Sequence, residues 1–125
     1  MLVRKPDDEG FGLVEVIIAF FLLAIIAVAI LPALVNGIRF SAAQSTVATA
    51  TRHLNGLVEE ARTTPTCATL VSVATPATFT DGRGKTITSS GTVGTCASGS
   101  AVSLDLKAAQ GGVTLASVNA LVYVP

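Results

Sequence analysis

Glu15 stands at the mouth of an uncharged stretch that runs from Val16 to Ile38. A carboxylate in hydrocarbon costs about 2.5–3.5 kcal/mol on insertion scales. It therefore demands a partner, and the run beyond it offers none. Just upstream lie Gly10, Phe11 and Gly12, where the glycines free the backbone. Cys67 and Cys96 form the only thiol pair. Outside the cytoplasm they read as a disulfide, and in the cytosol as two buried thiols. Enzyme chemistry has little to build on. His53, the one histidine, has no carboxylate, Cys or second His placed to make a metal site or catalytic pair, and reads as a helix-surface or packing residue. Asp81 and Asp105 are the only carboxylates after Pro65, too few and too far apart for a calcium site. Arg83, Lys85 and Lys107 are scattered rather than clustered, which argues against nucleic acid as a partner. No nucleophile–base pair and no phosphate loop occurs, so neither an enzyme nor a cofactor or metal site is expected.

The elements that position these residues begin with the apolar run. Residues 16–35, VIIAFFLLAIIAVAILPALV, are long enough to cross a bilayer core as a helix, which needs about 20 residues. The 125-residue chain carries zero formal net charge, so no broad attraction to nucleic acid or acidic lipid is implied. Two alternatives compete for the run. A secretory signal cleaved near Ala29 needs a basic start, but Asp7, Asp8, Glu9 and Glu15 accompany Arg4 and Lys5. An uncleaved, non-assembling single-span anchor is the other, and the flanking charges give it only a weak orientation bias.

The sequence Gly10-Phe11-Gly12-Leu13-Val14-Glu15-Val16 opening into the apolar run resembles the prepilin signature of type IV pilins and type II secretion pseudopilins. In that family a short leader ends in Gly, the mature chain starts with Phe, and a Glu follows four residues later. Gly12 stands where relatives usually carry Thr or Ser, and the leader is more acidic than most. The resemblance implies cleavage between Gly10 and Phe11 by a membrane prepilin peptidase, methylation of the new Phe11 amine, and pairing of Glu15 with the N-terminal amine of a neighbouring subunit during filament assembly. It further implies other pilin subunits and a membrane assembly platform as partners, with the lipid bilayer holding the chain before assembly. The start Glu15-Val16 with Ala19 resembles several minor subunits, so a minor pilin or pseudopilin is expected. The expected location is the cytoplasmic membrane, single-pass with the polar half outside, and then an extracellular or periplasmic filament.

The resemblance also gives the fold class: an α+β lollipop, with a long N-terminal helix packed against a small antiparallel sheet. The residues support it. Val47, Ala50, Leu54, Leu57 (with Val58) and Ala61 recur at spacings of three and four, and Thr63-Thr64-Pro65 is the stop signal. Phe11 to Arg62 as one helix would span about 78 Å at 1.5 Å per residue. Pro32 removes one helix hydrogen bond, and Pro32–Gly37 reads as a kink or hinge. Short strands are expected at Thr69–Val73, Ala77–Thr80, Lys85–Thr88, Val102–Leu106, Val113–Leu115 and Ala120–Val124, with a hairpin turn at Asp81–Gly84. The expected division is a leader at 1–10, a membrane or filament-core half-helix at 11–38, an amphipathic half-helix at 39–64, and a small β-rich head at 65–125. A Cys67–Cys96 disulfide would help so small a head, contributing about 3.5 kcal/mol in the chain-entropy model.

Overall fold

The computed structural model describes Gly10 and residues 12–125. Helix α1 runs from Leu13 to Thr63, α2 from Cys67 to Ala74, and four strands follow: β1 Ala77–Thr80, β2 Thr86–Val93, β3 Ser100–Gln110 and β4 Val113–Val124. The fold is α+β. The chain divides into two compact units, residues 1–40 and 41–125.

In the first unit every described side chain is exposed. Helix α1 here is apolar on all sides, with Ile17, Phe20, Phe21, Leu23, Ile26 and Leu31 uncovered. It is long and apolar enough to cross a membrane. Helical backbone continues unbroken through Pro32 and Gly37, although Pro32 has no N–H to give to the Val28 carbonyl one turn back.

In the second unit the sheet is an antiparallel meander in the order β1-β2-β3-β4. Its buried face meets one stripe of α1, formed by Thr46, Ala50, Leu54, Val58 and Ala61. Ala50, Leu54, Val58 and Ala61 join Leu70 and Val73 of α2, Ile87 of β2, Leu104 and Leu106 of β3, and Val122 of β4 in one core. Spacings of four and three put the helical members on one face, and alternation puts the strand members on one side of the pleat. The amphipathic half of α1 therefore faces the sheet through Ala50, Leu54, Val58 and Ala61, whereas Val47, expected on this stripe, is exposed and Thr46 is buried in its place.

Three expected strands are corrected. Thr69–Val73 is not a strand but lies inside α2. Thr66 caps that helix, its side-chain oxygen accepting the N–H of Thr69 at 3.2 Å, and Leu70, Val73 and Ala74 then fall on one buried helical face. Val113–Leu115 and Ala120–Val124 are the two ends of a single strand, β4. Residues between them stay extended because β3 pairs with them across almost its whole length, with an irregularity at Ala108/Ala109. Gly111 and Gly112, both at positive φ, form the two-residue connection between β3 and β4, where a hairpin turn of mirror-image type needs residues without a side-chain clash.

Two devices tighten this unit. Cys67, at the start of α2, is joined by a disulfide to Cys96 in the β2–β3 loop, with the Cα atoms 5.8 Å apart. Gly91 lets β2 approach its neighbours: a Cβ there would lie 2.5 Å from the Asp105 carbonyl oxygen and 2.5 Å from Leu106 Cδ2.

Candidate functional site

The first candidate site is the start of α1. Leu13 is its first helical residue, so Gly12 occupies the cap position and Glu15 the third position of the first turn. The Glu15 carboxylate folds back and accepts the Gly12 N–H at 2.8 Å. This is one half of a capping box, the reciprocal arrangement in which a Ser or Thr at the cap also accepts an N–H from the first turn. With Gly12 at the cap, the second half is missing. Glu15 therefore does have a partner in its own chain, upstream and not in the apolar run. The carboxylate sits where the helix dipole favours negative charge. Beside it, Glu15, Val16, Ala19, Phe20 and Leu23 line a hollow of about 370 Å³, open because Ala19 is small.

Phe11, its proposed methylation, and all of the leader except Gly10 lie outside the described residues. Gly10 and Gly12 are exposed, and a Cβ on Gly10 would meet nothing within 4 Å.

A second cluster, which the sequence reading noticed only as a turn, ties the β1–β2 hairpin to α1. Asp81 is buried. Its Oδ1 accepts the backbone N–H groups of Lys85 at 2.8 Å and of Arg83 at 2.9 Å. Its Oδ2 accepts the Thr46 hydroxyl at 2.9 Å, and Arg83 Nη2 donates to that same hydroxyl at 3.1 Å. The Lys85 N–H foremost, then the Thr46 hydroxyl, the Arg83 N–H and the Arg83 charge, hold the carboxyl below its ordinary range, against the opposing effect of burial. Asp at the first position and Gly84 at the fourth are the turn's sequence signal; the tie to Thr46 has none.

His53 is half-buried, and its ring stacks on Phe79 with centroids 3.9 Å apart. Its Nε2 is buried without a hydrogen-bond partner. The ring works as packing between α1 and β1. Among the described residues no three His, Cys, Asp or Glu side chains are gathered to hold a metal ion.

Residues 6–31 match the family described as the prokaryotic N-terminal methylation motif. No curated protein and no solved structure matches the chain. The matched stretch contains Gly10, Phe11, the capped turn at Gly12–Glu15 and most of the apolar helix. That motif, leading into an exposed apolar helix with an α+β unit beyond it, supports the type IV pilin family for this chain.

Proposed function

We propose that this protein is a structural subunit of a type IV pilus or related filament, in the role of a minor pilin or pseudopilin. It enters the cytoplasmic membrane as a precursor with its C-terminal unit outside. Prepilin peptidase cuts between Gly10 and Phe11, and the assembly platform then packs α1 among those of other pilin subunits. The observation that carries this reading is the methylation motif continuous with an uncovered apolar helix. Such a surface is stable only in lipid or against other helices. The capped carboxylate of Glu15 adds support. It caps the start of α1 next to a hollow able to receive a neighbour, and its charge fixes register because a misplaced subunit would leave it unpaired. Pro32 and Gly37 serve as the place where α1 bends or loosens on assembly.

N-terminal sequencing with intact-mass measurement on protein from the native host tests the reading. A mature start at Phe11, with or without an added methyl group, is expected. A start near Ile30 would mean an ordinary secreted domain, and a retained Met1 a plain membrane anchor; either outcome overturns the proposal.

A further inference from the structure

The sheet face turned away from α1 carries a polar groove. Three strands build it from two rows of cross-strand neighbours: Ser90–Lys107–Ser117 and Thr92–Asp105–Asn119. These six side chains rise around a floor made by Gly91, Leu106 and Val118, enclosing about 400 Å³. That lies within the size range of small-molecule sites. Leu106 is turned into the core, as is the side of Gly91 where a Cβ would lie, so the outer surface is left to hydroxyls, one carboxylate, one amide and one ammonium.

The geometry points to this groove as a binding site for a neutral glycan. One carboxylate and one ammonium cancel, so a polyanion would meet Asp105 and a polycation would meet Lys107. A neutral polyol presents donors and acceptors at every ring position and matches a wall that carries both. The Asn119 amide donates to Asp105 Oδ1, which fixes the two side chains against each other and leaves Asp105 Oδ2 and the Asn119 carbonyl turned to other donors. Along the same face of β4, Leu121 and Tyr123 follow Asn119 at alternate positions, 66% and 61% exposed. Tyr123 lies opposite Ala101, a residue too small to cover its ring. Four residues of strand put that ring about 13 Å from Asn119, an apolar platform for a sugar face at the end of a polar groove. The groove lies on the face of the sheet opposite the Thr46–Ala61 stripe of α1, so the packing of that stripe leaves it open.

The test is titration of the full chain in detergent micelles with chitotetraose and cellotetraose, followed by calorimetry and saturation-transfer NMR. At least one should bind. Asp105→Ala, Asn119→Ala and Tyr123→Ala should each weaken binding by about tenfold, and Thr78→Ala, on the same face outside the groove, should not. Circular dichroism of each variant separates lost binding from lost folding. Absence of binding by both oligosaccharides at millimolar concentration overturns the proposal, as does binding unchanged in all three groove variants. Concentration-dependent self-association that the same substitutions abolish would overturn it in favour of a packing face for a second copy.

Discussion

Glu15 has two tasks that single substitutions can separate. As a cap it needs only an oxygen that reaches the Gly12 N–H; as an ion-pair partner it needs a charge. Glu15→Gln keeps the first and removes the second, whereas Glu15→Ala removes both. If pairing with a neighbour's amine drives assembly, both variants should be processed and both should be depleted from sheared filaments, as read by immunoblot. If capping is the whole role, Gln should assemble like the wild type. Gly12→Ser should complete the capping box and stabilise the helix start by a few tenths of a kcal/mol, since glycine is itself a tolerable cap. Asp81 makes a prediction about acid. Its carboxyl is held below the usual range in the folded state, so the unfolded chain binds the proton more readily. The stabilisation is present above the ordinary carboxylate value of 3.8 and is lost as pH falls through the lower folded value. Thermal melts should therefore show Asp81→Asn less stable than wild type at neutral pH, with the gap narrowing below about pH 4.

At the scale of the element, Gly91 and Leu54 both occupy close-packed positions. Gly91→Ala would push a methyl group against the Asp105 backbone and should cost about 1–3 kcal/mol in urea unfolding. Leu54→Ala, at a site with no exposure, should cost about 2–5 kcal/mol. What the sequence made legible follows the same division. The helix was readable because its period is written in single residues: Ala50, Leu54 and Ala61 repeat whatever lies opposite them. The strand expected at Thr69–Val73 was misread because a short β-branched run suits either state. The deciding signal was Thr66, three residues before Thr69, in cap position. The break in the final strand was misread because Ala116–Asn119 has little strand character of its own and is extended through its pairing with β3. At the candidate sites, the Gly12–Glu15 cap is local and could have been found from the spacing alone. The tie from Asp81 to Thr46 joins residues 35 apart and exists only once the hairpin has folded against the helix.

For the whole molecule, the disulfide makes one covalent loop of α2, β1 and β2. Reduction, or Cys67→Ser with Cys96→Ser, should lower stability by about 3.5 kcal/mol in the chain-entropy picture, measured as a shift in the denaturant midpoint. The bond has a second consequence, in mechanics. Suppose tension enters through α1 and leaves at Pro125. The covalent path then jumps from Cys67 to Cys96, so the intervening chain bears no load even after the sheet has been pulled apart. With a sequence separation of 29 residues, the oxidised chain should reach full extension about 100 Å shorter than the reduced one. A subunit stretched in its filament would stop lengthening at that point, with α2 and the β1–β2 hairpin shielded from the pull.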